Sequence, residues 1–255
     1  MLFDSHTHTK FSADSKMLAT DAIARAESLN LGIVCTEHFD YDLEGNFKFN
    51  PSEYFSEYKN FRGDKVRLGV EVGFTKTSRE INKNFVASAD FDEVIGSIHM
   101  LDGEDIYHKE FFIGKDKISV YTNYFNVMAQ EAAVNDFDIL GHIDYICRAA
   151  TYDDTSIDYD RFKPEIDKVL KIVVEREKVL ELNTRRLSDK KIFMELKPVY
   201  ESYKNFGGKY VTIGSDAHRS EFVGNYFDDA KKFVEEIGLT VVNFRQRKIQ
   251  ILKVD

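Results

Sequence analysis

Proline and glycine are scarce, at three and fourteen in 255 residues, which excludes collagen-like and low-complexity chains. Cysteine is scarcer still: Cys35 and Cys147 lie far apart, each in apolar surroundings. Two such residues make no disulfide framework; they read as small core side chains in a reducing compartment. No stretch approaches the roughly 18 uninterrupted apolar residues of a membrane span. The opening MLFDSHTHTK also lacks the basic and apolar segments of a secretion signal, so a cytoplasmic protein is expected. Positive charge is in deficit, with 35 Lys plus Arg against 44 Asp plus Glu for a net −9, which argues against nucleic-acid and anionic-membrane partners. A small anionic substrate would therefore need a local positive site.

What is present is an ordered globular composition, 43% hydrophobic and 31% charged. Short apolar runs recur at 2–3, 32–36, 66–74, 94–98, 139–143, 179–182 and 210–213. Helical periodicity fills the spaces between them. From Pro164 to Lys178 the residues Ile166, Val169, Leu170, Val173 and Val174 mark one buried face, with Pro164 in the first turn. A second helix is expected from Thr20, presenting Ile23 and Ala26, and a third carries Tyr121, Phe125, Met128 and Ala132. Such alternation predicts an α/β fold with a parallel sheet, and seven strands favour a barrel over an open sheet. The economical division is one domain over 1–255. Asp40 to Phe61 reads as an insertion or lid, and Leu239 to Val254 as a tail ending in a strand outside the main sheet.

Six of the seven histidines fall at or near the ends of these strands, His108 being the exception. His6 and His8 are alternate residues at a strand end, so both imidazoles can reach one ion. His38 follows the second strand, His99 the fourth and His142 the fifth, while Asp216 and His218 close the set. Glu71 is a charged residue inside the apolar strand LGVEVG, where burial is costly without a partner or a metal. In a barrel all of these reach the single face on which active sites are built. Imidazoles and carboxylates converging from several strands point to a metal site, because buried polar groups each require a partner.

The motifs His6-Thr7-His8-Thr9, Glu37-His38, Glu71, His99, Gly141-His142-Ile143-Asp144 and Asp216-Ala217-His218 resemble, in that order, those of the polymerase and histidinol phosphatase (PHP) superfamily of metal-dependent phosphoesterases. The resemblance spans nearly the whole chain. It implies a distorted (β/α)7 TIM-like barrel with three divalent metal ions on its C-terminal face. Carried over by residue, it implies His6, His8, Glu71 and Asp216 around one ion, and Glu71 bridging to a second held by His99 and His142. His38, His218 and Asp14 would hold the third, Asp14 being the position at which family members vary. Mixed imidazole and carboxylate ligation suits zinc, iron or manganese alike.

Clustered divalent ions can hold a bridging hydroxide and neutralise charge during in-line displacement at phosphorus, so hydrolysis of a phosphate ester follows. Asp216 or His218 would relay the proton to the departing alcohol. Arginine suits the phosphate, and Arg148 and Arg185 are the candidates, with Arg186 the neighbour and rival of Arg185. The segments Glu-His-Phe-Asp at 37–40, Gly-Ser-Ile-His at 96–99 and Glu-Leu-Asn-Thr at 181–184 look most like stand-alone histidinol phosphatases. That resemblance implies L-histidinol phosphate as substrate, with Phe39, Asp40, Tyr41 and Asp42 as candidates to receive its imidazole and ammonium groups. The alternative substrate is a nucleotide or another small phosphate ester. A non-catalytic metal-binding barrel would be expected to have lost ligands, and an amide or lactone hydrolase would favour a lysine at a matching strand end; neither mark is present.

Overall fold

The computed structural model describes residues 1–251. In chain order the elements are β1 Phe3–Thr7, α1 Ala19–Ser28, β2 Gly32–Phe39, α2 Pro51–Tyr58, β3 Val66–Gly73, α3 Arg79–Val86 and β4 Val94–Ser97. They continue with β5 Met100–Leu101, β6 Glu104–Asp105, α4 Lys117–Val134, β7 Ile139–Leu140, α5 Tyr159–Glu175, β8 Val179–Asn183 and α6 Lys191–Asn205. The last are β9 Tyr210–Gly214, α7 Phe227–Ile237, β10 Thr240–Arg245 and β11 Lys248–Ile251.

The seven expected strands are β1 to β4 and β7 to β9, all parallel, in the sheet order β1-β2-β3-β4-β7-β8-β9. A parallel bridge between Thr7 and Ala217 joins the last strand's extension to the first, and Asp216 and His8 donate backbone hydrogen bonds across it to His6 and Ala217. The barrel is thus closed at its C-terminal end. At the opposite end β9 pairs instead with β10, through Tyr210 and Val211, and this divergence is the distortion of the barrel.

The helices bury one face each against the outside of the sheet. Tyr121, Phe125, Met128 and Ala132 of α4 are all buried as expected, and each large apolar side chain contributes about 1.5–3 kcal/mol of transfer free energy. The buried face of α1 is Ala19, Ala22 and Ala26, with Ile23 at its margin. Helix α5 starts five residues before Pro164, because the Asp158 side chain accepts from the Arg161 N–H and caps it there. Pro164 therefore lies inside the helix, where it gives up one backbone hydrogen bond. The 40–61 segment divides into an irregular loop and α2, whose Tyr54 and Tyr58 are buried; the Tyr54 hydroxyl donates to the Cys35 carbonyl at 2.7 Å.

The expected tail strand is a correction. Both β10 and β11 belong to the main sheet, β11 as its last strand and antiparallel to β10; residues 252–254 of that tail lie outside the described residues. β10 crosses the N-terminal end of the barrel because Val242 and Phe244 pack against Ile95, Ile139 and Val179 as a floor. Arg67 of β3 donates to the Asn243 side chain and the Phe244 carbonyl from beneath, its guanidinium 4.0 Å from the centre of the Phe3 ring. Arg247 ties the turn of the hairpin to Asp136 and Asp138. No helix among the described residues is long and apolar enough to cross a membrane.

Candidate active site

The strand ends deliver the functional side chains to one face. Glu71 lies at the centre, fully buried. Its Oε2 is 3.2 Å from His6 Nε2, 3.4 Å from His8 Nε2 and 3.1 Å from His38 Nδ1. Its Oε1 is 2.8 Å from His142 Nε2 and 3.2 Å from His99 Nε2, and accepts from the Ser97 hydroxyl at 2.6 Å. Burial alone would raise this carboxyl, but His6, His99 and His38 together with the His142 hydrogen bond hold it well below the usual range. Asp216 closes the ring from β9, with Oδ1 3.5 Å from His8 Nε2. It has φ 54°, a left-handed conformation that Asp tolerates better than most residues. Burial opposes its charge too, and Arg148, His6, Arg185 and His218 overcome that.

The structure brings together every metal-ligand candidate. His6, His8 and Asp216 offer atoms within 4.8 Å of one another, as do His6, Glu71 and His142, and as do His8, His38 and His218. Asp14 completes the outermost group, with Oδ2 3.0 Å from His218 Nε2 and 3.7 Å from His38 Nε2. The donor set passes a chemical test of fit. His6 Nε2, His8 Nε2, His99 Nε2 and Glu71 Oε2 are buried, face a common centre and have no hydrogen-bond partner. Orphaned buried polar atoms cost about 1–3 kcal/mol each, a cost that divalent cations at the common centre would remove. Both cysteines are free, buried and outside the cluster.

On His6, His8, His38 and His99 it is Nδ1 that meets a partner sequence reasoning missed, while His142 Nδ1 has none. Asp40 takes His99 Nδ1 at 2.7 Å and His38 Nδ1 at 3.1 Å. Ser12 stands 3.1 Å from His8 Nδ1 and donates to Glu37 at 2.7 Å, while Glu181 is 2.6 Å from His6 Nδ1. A signal for Asp40 existed in Gly73, where a Cβ would come within 1.8 Å of its Oδ1.

The cluster floors a cavity of about 380 Å³. Arg148 Nη1 is 2.6 Å from Asp216 Oδ2, with its guanidinium 4.7 Å from the centre of the Tyr145 ring. Arg185 Nη1 is 3.3 Å from Asp216 Oδ1 and 3.2 Å from His218 Nδ1. Arg186 points away, into Asp144 at 2.6 Å and Glu195 at 3.5 Å, so the choice between the neighbours falls to Arg185. The expected lid contacts are a correction. Phe39 stacks on Phe85, Asp40 serves the histidines, Asp42 accepts from Thr75 and Thr77, and Tyr41 lies under Lys48. The outer wall is built from Leu43, Glu44, Phe47, Asp105, Tyr107 and His108, so the one histidine away from the strand ends reaches the rim of the same cavity.

Comparison with known proteins agrees with this geometry. Residues 4–185 match the PHP domain family. The chain is 44% identical to a probable histidinol-phosphatase of Clostridium acetobutylicum over 97% of its length and 98% of that protein. It is 33% identical to the histidinol-phosphatase of Lactococcus lactis, covering 84% and 83%. The crystal structure of histidinol phosphate phosphatase from Lactococcus lactis, complexed with zinc, L-histidinol and phosphate, superimposes with a TM-score of 0.91 at 28% identity over 98% of both chains. With its motifs in order and its barrel closed around them, the chain belongs to the PHP domain family, in the histidinol-phosphatase branch.

Proposed function

We propose that this protein is a metal-dependent phosphomonoesterase that hydrolyses L-histidinol phosphate to L-histidinol and phosphate, a step of histidine biosynthesis. The observation that carries the reading is the placement of Arg148 and Arg185 against the buried imidazole and carboxylate cluster, in one cavity. Our assignment is three ions: one at His6, His8, Glu71 and Asp216, one at Glu71, His99 and His142, and one at His38, His218 and Asp14. When bound, divalent ions supply Lewis acidity, charge neutralisation and an activated water. The chain's own residues do the rest. Arg148 and Arg185 present forked donors to the phosphoryl oxygens and offset the net acidity of the protein. Glu71 fixes the spacing of the cluster. Asp216 and His218 stand at the cavity beside the arginines, and to one or the other we assign the relay of a proton from the attacking water to the leaving alcohol oxygen.

The alcohol half of the substrate faces the outer wall. Phe47 and Tyr107 offer ring faces to its imidazole, and Glu44 and Asp105 offer carboxylates to its ammonium group. We read residues 1–255 as one domain, working in the cytoplasm, where two buried free thiols are at home. The test is kcat/KM for L-histidinol phosphate, an aryl phosphate and a 3′-phosphorylated nucleotide on protein reconstituted separately with zinc, iron and manganese. The expected result is a preference of several orders of magnitude for histidinol phosphate. Similar weak rates on all three would move the search to other phosphorylated metabolites.

A further inference from the structure

Glu181 is a buried acid in the middle of β8 to which the function above gives no task. Its Oε1 is 2.6 Å from His6 Nδ1, across the barrel interior on β1. Its Oε2 accepts the His142 backbone N–H at 2.7 Å, two residues past the end of the adjacent β7, and the Asn183 amide at 3.3 Å. Room for this is built in: a Cβ on Gly214 would stand 2.4 Å from both Glu181 Oε1 and His6 Cβ. One carboxylate thus grips two cluster residues on strands that are not neighbours. We infer that Glu181 is a positioning residue that sets the tautomer of His6 and holds the His6 and His142 ion sites at a fixed separation.

The argument is one of donors and acceptors. A backbone N–H only donates, so the Oε2 side of residue 181 must accept. A carboxylate also accepts on its other oxygen, which obliges His6 to carry its proton on Nδ1 and leaves the Nε2 lone pair bare. Nε2 is the atom that faces Glu71 at 3.2 Å without a hydrogen-bond partner. An outer carboxylate of this kind also makes the imidazole a more basic ligand, and losing such a partner typically costs about 10–100-fold in metal affinity.

Glu181→Gln separates this role from mere space filling, because it is nearly isosteric. Its amide oxygen must stay on the His142 N–H, so its NH2 faces His6 Nδ1. That nitrogen must then accept, and the proton moves to Nε2, where an ion would bind. Glu181→Asp keeps two accepting oxygens on a stem one methylene shorter.

The proposal rests on the ligand assignment above, and the experiment separates the two. Zinc affinity and stoichiometry are measured by chelator competition on the wild type and both variants, with thermal midpoints of the metal-free proteins as the check on folding. Tautomers are read from long-range 1H–15N correlations of the His6 ring in the zinc-loaded wild type. The expected results are a metal-free midpoint close to wild type for Glu181→Gln, zinc affinity about 10–100-fold weaker, and a smaller loss for Glu181→Asp. In the wild type the His6 proton should sit on Nδ1. A wild type that binds no zinc would overturn the ligand assignment. Wild-type zinc affinity retained in Glu181→Gln, or a wild-type His6 ligating through Nδ1, would overturn the role of Glu181 alone, and the tautomer reading stands even if a variant fails to fold.

Discussion

Glu71 and Asp14 occupy opposite depths of one cluster, and their substitutions should differ accordingly. Glu71 is fully buried and faces five imidazoles, whereas the Asp14 side chain is 42% exposed and faces two. Glu71→Gln should lower kcat/KM by more than the roughly 100-fold that bounds the loss of an outer supporting contact, and by more than Asp14→Asn does, because Glu71 serves two of the assigned ion sites and Asp14 only the outermost. Equal losses in steady-state kinetics on fully reconstituted proteins would argue against a bridging Glu71. At this scale the sequence was informative about ligands, because an imidazole or a carboxylate in an apolar strand has few bland explanations. It was mute about what the other ring nitrogen touches. Asp40 and Glu181 look like ordinary acids until the barrel closes, since their partners come from strands distant in the chain.

Among the elements, the C-terminal hairpin makes the clearest separation between folding and chemistry. Arg67 is buried beneath it, and Arg67→Met would leave the Asn243 side chain and the Phe244 carbonyl without their donor, costing about 2–3 kcal/mol. The thermal midpoint should fall by roughly 4–12 °C, at about 2–4 °C per kcal/mol for a chain of this size. Turnover at 25 °C should persist, because Arg67 lies four residues from Glu71 on the same strand, about 13 Å towards the far end. Loss of activity without loss of stability would contradict this division. All seven barrel strands were legible because parallel strands covered on both faces are short, continuous apolar runs. The alternation at 249–254 carries no information about the strand before it, whose Val242 and Phe244 turn into the barrel as its floor and join the tail to the main sheet. Helix α5 was read from Pro164 because proline marks a first turn more often than an interior, and the Asp158 cap outweighed that preference.

For the whole molecule, the buried thiols are the first groups to draw stability down as the pH rises, because their usual value lies below that of the buried tyrosines. Burial pushes the Cys147 thiol up to about 12 from a usual 9.0. Above pH 9 the unfolded chain therefore binds fewer protons than the folded one, and stability falls as pH rises, by about 1.4 kcal/mol per pH unit until the folded thiol titrates. Cys147→Ala should make the decline of denaturation free energy between pH 9 and 11 shallower by the share of one thiol; an unchanged slope would assign that decline to Cys35 and the buried tyrosines.

The floor has a further consequence for the order of events in turnover. With one end of the barrel plugged, both products must queue for the same exit, and the half nearer the outside leaves first. In the binding mode proposed above the alcohol would rest against Glu44, Asp105 and Tyr107 at the rim, with the phosphate beneath it between the arginines and the cluster. Phosphate is thus the last to depart and the enzyme form it leaves is the one that meets fresh substrate. Inorganic phosphate should inhibit competitively against histidinol phosphate and L-histidinol noncompetitively, and the reverse pattern would mean that the barrel has a back door.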